Sequence, residues 1–167
     1  MKNFSKIMLL AVIAVVLTFG SAFAKEYNDK ESGLSVNIPD DWKVSSEGNV
    51  LEASAGEDIN LIFETLKADD VEAALTEAEK ALTKELGELK TEKTAEVEIN
   101  GMKAYIEDCT AKEGKINVSV MLLATPGKKM VLLYYIGTPE AEKKHEAELT
   151  AIVQSLKPAA AEETEKK

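Results

Sequence analysis

The chain holds one cysteine, Cys109, and one histidine, His145, so these are its only thiol and imidazole for a nucleophile or a neutral-pH base. One of each excludes an intrachain disulfide, a thiolate or imidazole zinc cluster, and any mechanism that needs two histidines. A reactive thiol needs a cation or a helix N-terminus beside it to lower its pKa. Around Cys109 the sequence supplies Glu107 and Asp108, which act the other way. The nearest lysine on the same strand face is Lys103, roughly 20 Å back along a strand at about 3.4 Å per residue. His145 falls on the apolar stripe of the last helical segment, and no Gly-x-Ser-x-Gly elbow accompanies it. Tertiary packing could still bring the two together. One reading is therefore a small thiol- or histidine-dependent enzyme using Cys109 and His145; the other is an incidental cysteine and a histidine at the edge of a core.

Carboxylates are abundant, with 30 aspartates and glutamates. Tested against the EF-hand loop from Asn28, the third position is Lys30 and the twelfth is Pro39, where a glutamate is required, so that loop is excluded. Asp40-Asp41 and Glu57-Asp58 could join as a loose surface cation site, although solvated acids explain them equally well. Paired glycosidase carboxylates carry no signal, because so many acids make any separation available. Trp42 could stack on a ligand, but its place just after Pro39 reads as a core anchor. The sequence assigns no catalytic, cofactor-binding or metal-ligating residue, and calls for no cofactor.

All 20 basic residues of the 167 are lysine, and the formal charge is −10. Without arginine forks or a basic patch, a nucleic-acid-binding surface is excluded. Residues 1–24 read as a cleaved signal peptide: Lys2 and Lys6 form the positive start, Ile7 to Phe19 is almost wholly apolar, and Ala22-Phe23-Ala24 supplies small residues at the cleavage site. Thirteen or so apolar residues reach about 20 Å, short of the roughly 30 Å hydrocarbon core, so a membrane anchor is not expected. No cysteine lies at the site to accept a lipid. The expected product is soluble and periplasmic, or secreted where there is no outer membrane. The signal carries off two lysines and no acid, which takes the formal charge to −12.

The elements that must position these residues follow from periodicity. Leu34, Val36 and Ile38 alternate as a half-buried strand closed by Pro39. Residues 49–53 and 59–66 are further strands, the second apolar on both parities and so expected to be central. Val71, Leu75, Ala78, Leu82 and Leu86 form one helical stripe over 69–86, with Asp69 and Glu72 as a capping box and Gly87 as the stop. Residues 94–136 then read as a four-strand meander with turns at Asn100-Gly101, Glu113-Gly114 and Pro126-Gly127. Thr138-Pro139 opens a last helix with the stripe Ala141, His145, Leu149, Ile152, Val153 and Leu156. Residues 158–167 lack an apolar period and read as a disordered tail. Strands interrupted by only two helices predict an α+β sandwich whose mainly antiparallel sheet is flanked by two main helices, as one domain over 25–157.

The segment Gly33-Leu34-Ser35-Val36-Asn37-Ile38-Pro39-Asp40-Asp41-Trp42, with the closing Ile152-Val153-Gln154-Ser155-Leu156-Lys157-Pro158, resembles the PsbP-like fold family. That family includes the photosystem subunit PsbP, the bacterial envelope protein DcrB and a Ran-binding nuclear-import factor. The resemblance spans roughly residues 27–157 and implies a PsbP-like α/β/α sandwich. Two positions depart from the family pattern: Asp41 stands where glycine is frequent, and His145 where a bulky apolar residue is expected. The family implies a non-catalytic binding or assembly role and offers no catalytic residue to carry over. The functional expectation is an exported, soluble binding or assembly module of the cell envelope. Its partner would be a protein or envelope complex with a lysine-bearing or neutral surface, because the domain itself is acidic.

Overall fold

The computed structural model describes residues 24–66, 71–127 and 129–159. Ten strands and two main helices follow in the order β1 (Ala24–Asp29), β2 (Leu34–Pro39), β3 (Lys43–Glu47), β4 (Val50–Ser54), β5 (Ile59–Leu66), α1 (Val71–Leu86), β6 (Lys90–Ile99), β7 (Met102–Ala111), β8 (Ile116–Ala124), β9 (Met130–Gly137), α2 (Pro139–Ser155) and β10 (Lys157–Pro158). Seven strands form one antiparallel sheet in the order β3-β4-β5-β9-β8-β7-β6, and β1-β2-β10 form a second, smaller one. The fold is an α+β sandwich, as the element pattern predicts.

The large sheet is built by local hairpins except at one seam. Its meander β6 to β9 turns first at Asn100-Gly101, where φ values of 48° and 83° put both residues in the left-handed region that Asn and Gly tolerate best. The Asn100 side chain does a second job: its Nδ2 donates to the carbonyls of Gln154 (2.9 Å) and Leu156 (2.7 Å), capping the end of α2. The seam is β5 with β9, paired from Ile59 opposite Gly137 to Leu66 opposite Met130. To reach β6 at the far edge, the chain after β5 must cross β9, β8 and β7. That is about 19 Å at a strand spacing near 4.8 Å, and the 16 residues of α1 span about 24 Å. Gly87 ends α1 with its N–H on the Thr83 carbonyl, 3.0 Å away.

Each face of the large sheet has its own core. On one face Leu61, Phe63, Leu133, Met121 and Ile106 meet Leu34, Val36 and Ile38 of β2 and Ile152 and Leu156 of the α2 segment. On the other, Leu132, Tyr134, Val118, Val120 and Leu122 meet Ala78 and Leu82 of α1, with Leu75 and Leu86 packed beside them. The two-sided burial of β8 and β9 is thus met by one helix on one face and a helix with a small sheet on the other. Thr138 caps α2 as expected, its hydroxyl accepting from the Ala141 N–H at 3.2 Å with Pro139 in the first turn.

Several expectations change. β2 is not half buried: Ser35, on the face turned away from the large sheet, is 1% exposed, with its hydroxyl donating to Glu26 of β1 at 2.7 Å. β1, β3 and β10 had no apolar signal, and they exist because backbone pairing on a neighbouring strand supplies what their side chains do not. The described chain runs past 157: β10 includes Pro158, and the Ala159 N–H donates to the Gly33 carbonyl at 2.7 Å. The signal segment apart from Ala24, Asp69 of the capping box, and residues 160–167 lie outside the described residues.

Candidate functional site

Cys109 and His145 do not form a site. Cys109 belongs to the core under α1, while His145 rides on α2 against the opposite face, so the large sheet stands between the only thiol and the only imidazole. The enzyme reading built on this pair is corrected by that separation. Cys109 is 7% exposed, and its Sγ lies 3.9 Å from the Thr91 hydroxyl. Burial pushes the thiol pKa up most; the contact with the Thr91 hydroxyl acts against it, and the charges of Glu107 and Asp108 add to the rise. A protonated, buried thiol is a weak nucleophile.

Trp42 is 5% exposed and therefore an anchor of the core. Its indole Nε1 donates to Glu148 Oε2 at 2.7 Å, and the same oxygen lies 2.9 Å from His145 Nδ1. The two rings meet edge to face, with centroids 6.1 Å apart and planes at 89°. His145 therefore replaces a bulky apolar residue by packing its ring on Trp42 and giving its polar atom to Glu148. Partial burial raises the Glu148 pKa, but the hydrogen bonds from His145 and Trp42 and the nearby charge of Lys144 outweigh it, and the carboxyl sits below its ordinary range. This cluster fastens α2 to the segment after β2, with Glu148 Oε2 shared between the indole and the imidazole. Among the described residues no three carboxylate, imidazole or thiol groups gather as a metal ion would need, Asp40-Asp41 with Glu57-Asp58 included.

The feature that the sequence reading missed is a cleft between the small sheet and the β3–β4 hairpin. Tyr27, Leu34, Val36, Leu51, Phe63 and Val131 supply its apolar wall, and Asp29, Ser32, Ser46, Asn49 and Thr65 its polar side. Its volume is about 150 Å³. Drug-sized ligand pockets run from about 300 to 1,000 Å³, so this notch suits one or two side chains rather than a cofactor. On its polar side the Asp29 carboxylate accepts from the Ser32 and Thr65 hydroxyls, both at 2.5 Å, and from the Ser32 and Glu31 N–H groups at 3.1 Å. Burial raises the Asp29 pKa, yet these donors together outweigh it and hold the carboxyl below its usual value. A general base needs a pKa near the working pH and a lone pair free for the proton; Asp29 is moved away from that pH and its oxygens are engaged. It pins the β1–β2 hairpin to β5. Asn49 pins the β3–β4 turn to the same strand, donating to the Thr65 carbonyl at 2.8 Å and accepting from the Thr65 N–H at 3.0 Å. The one sequence trace of this arrangement is Asp29 three residues before Ser32, a spacing that suits a side chain closing its own turn.

No helix among the described residues is long and apolar enough to cross a membrane. No protein-family model matches the chain, and no curated protein matches it. Solved structures do. The solution structure of cyanobacterial PsbP (CyanoP) from Synechocystis sp. PCC 6803 is similar with a TM-score of 0.58 and 13% identity, over 87% of this chain and 98% of that one. PA94 from Pseudomonas aeruginosa, a protein of unknown function, is similar with a TM-score of 0.51 and 17% identity, over 83% of this chain and 99% of that one. LpqN of Mycobacterium tuberculosis, involved in cell envelope biogenesis, aligns with a TM-score of 0.49 and 16% identity, over 80% of this chain and 88% of that one. With the α/β/α layering and the buried tryptophan after β2 already in place, the likeness to the first two structures shows that the chain has the PsbP-like fold.

Proposed function

We propose that the chain is an exported, non-catalytic binding or assembly module of the bacterial envelope that acts on a protein partner. The observation that carries this reading is the division of the only thiol and the only imidazole between opposite faces of the sheet. What the molecule offers beside them is a side-chain-sized cleft in which Asp29, Ser32, Asn49 and Thr65 are already engaged with one another. Such a surface supports recognition of a partner residue and supplies neither an activated nucleophile nor a poised base. The apolar run and Ala-Phe-Ala site at residues 7–24 support action outside the cytoplasm, in the periplasm where an outer membrane exists. The acidic charge supports a partner surface that is neutral or lysine-bearing.

The test places a photo-crosslinking residue at Ser46, exposed on the cleft rim, and separately at Glu79, exposed on α1, in living cells. The expected result is one discrete adduct from Ser46 and none from Glu79, unchanged when Cys109→Ser or His145→Phe is added. Identical adducts from both sites, or loss of every cellular function in a folded Cys109→Ser variant, would overturn the reading.

A further inference from the structure

The two edges of the large sheet are finished differently. At one end β6 is long, carries Lys90, Glu92, Lys93, Glu96 and Glu98, and breaks register between Thr91 and Lys93. Charges and bulges of this kind keep a foreign strand off an edge. At the other end β3 pairs with β4 alone, and among the described residues no backbone group bonds to its outer side. Every second residue of such a strand turns its N–H and C=O outward. Its middle residues, Val44, Ser45 and Ser46, carry no charge. β3 therefore lacks the devices that guard β6.

This open edge borders the Asp29 cleft. The register aligns Ser46 with Leu51 of β4 and Leu51 with Phe63 of β5, so the three share one row on the cleft face. Ser46 is small and exposed, and Tyr27 and Leu51, which line the gap behind it, stay half-buried. A strand laid outside β3 sets a side chain about 5 Å from Ser46, close enough for an aromatic residue to lean over the serine. The cleft holds about 150 Å³ behind mostly apolar walls, and a dry apolar cavity of about that size admits a benzene ring. The neighbours of that side chain along the added strand point to the opposite face, one of them facing Glu47. There Glu52 stands opposite Ser45, and Glu64 opposite Val50, which pairs with Glu47. None of these three glutamates has an ion pair among the described residues.

We propose that β3 takes an extended segment of a partner protein as an added strand, that the segment seats one phenylalanine-sized ring in the cleft over Ser46, and that a lysine next to the ring faces Glu47. In this mode backbone bonds supply affinity, and the notch and the acids supply specificity. The inference rests on the binding-module reading of the same cleft and adds the shape and chemistry of what is bound.

The probes are blocked pentapeptides titrated into the 15N-labelled protein: Thr-Lys-Phe-Thr-Thr, Thr-Thr-Phe-Lys-Thr, and forms of each with alanine for phenylalanine or glutamate for lysine. The better binder is also made with N-methyl groups on its second and fourth amides, or on its third and fifth. The expected result is saturable shifts of the Val44, Ser45, Ser46 and Leu51 amides, with binding about tenfold weaker for the alanine form and weaker again for the glutamate form. One methylated form should bind like its parent and the other should not bind, because only alternate amides face β3. The preferred place of the lysine, before or after the ring, gives the direction of the added strand. In Ser46→Phe the distinction between phenylalanine and alanine should vanish, and in Glu47→Lys the glutamate form should bind best. Both positions are exposed, so both variants should keep a folded spectrum. Should one fail to fold, the methylated pair on the parent protein carries the comparison. No saturable shift, equal binding of the two methylated forms, shifts centred on Lys25–Asn28, or concentration-dependent shifts of β3 without peptide, which would assign the edge to a second copy, would each overturn the proposal. A discrete cellular adduct from Ser46 beside failed peptides would keep the module reading and remove only the added strand; saturable peptide binding without an adduct would remove the module reading and keep the strand.

Discussion

Removing the indole of Trp42 should cost about 3–5 kcal/mol of stability, the range for a buried aromatic truncated to alanine. The structure divides that figure. Trp42 is 5% exposed, so nearly the whole ring leaves a cavity among Ile38, Ile152 and their neighbours in the same core. The bond from its Nε1 to Glu148, at 2.7 Å, adds a charge-assisted part. Glu148 is about one-third exposed, 35% by side chain, so water screens that part to about 1 kcal/mol. Trp42→Phe keeps a ring against His145, loses the N–H and leaves a smaller void, and should cost about 2 kcal/mol. Urea unfolding followed by circular dichroism measures all three proteins on one footing. The chain has a single tryptophan, so native fluorescence of the parent reports this site alone, and its emission should be strongly blue-shifted. A cost below about 1 kcal/mol for Trp42→Ala, or native emission like that of free tryptophan, would refute the argument that this ring anchors the core.

Glu148→Gln should lower stability most at neutral pH. The folded-state pKa of Glu148 lies below its ordinary value, so its contribution is complete above the ordinary carboxylate range and disappears as pH falls through the folded value. Parent and variant unfolding curves should therefore converge in acid; a constant gap would contradict the assignment. Cys109 should react with a disulfide reagent at mildly alkaline pH only at the rate of local opening, and fast reaction in the native state would show an exposed thiolate. Asn100→Gly retains the turn and loses the two bonds to the α2 end, costing about 1 kcal/mol, while Asn100→Ala also strains the positive φ and should cost more in thermal melts. Tyr135→Phe should be neutral or stabilising by up to about 1 kcal/mol, because it removes an orphaned hydroxyl. Gly137→Ala should destabilise by about 1–3 kcal/mol, with partial rescue when Tyr135→Phe is added; chemical denaturation of the single and double variants decides this.

What could be read beforehand was whatever repeats along one element. The stripe of α1, the two-sided apolar runs of β5, β8 and β9, the Asn100-Gly101 turn and the Thr138-Pro139 cap each lie within a few consecutive residues, where periodicity and turn chemistry act. β1 and β3 were illegible because Ala-Lys-Glu-Tyr-Asn-Asp and Lys-Val-Ser-Ser-Glu hold their places through a neighbour's backbone. The parity of Cys109 along β7 could be counted, but which helix covers that face depends on where α1 crosses the sheet. The Asp29 cleft joins one hairpin to Thr65, and the row of Asp108, Ser119 and Tyr135 joins three strands. Both depend on register between distant segments, and register leaves no mark in a single strand's composition.

The seam between β5 and β9 also sets an order of events for the chain as it folds. Every other neighbour in the large sheet is a sequential hairpin that can zip within its own short stretch, whereas β5 must wait for α1 and the whole meander before it finds β9. The entropy of closing that long loop falls on one step, and contacts far apart in sequence slow folding in proportion. The meander β6–β9 should thus form the nucleus, with high φ-values in β8 and low ones in β5, and the β1–β2 arm should dock late. Until the seam closes, β9 presents an unpaired apolar edge, so conditions or chaperones that shield Met130–Gly137 should govern how much of the chain reaches its native state and how much aggregates.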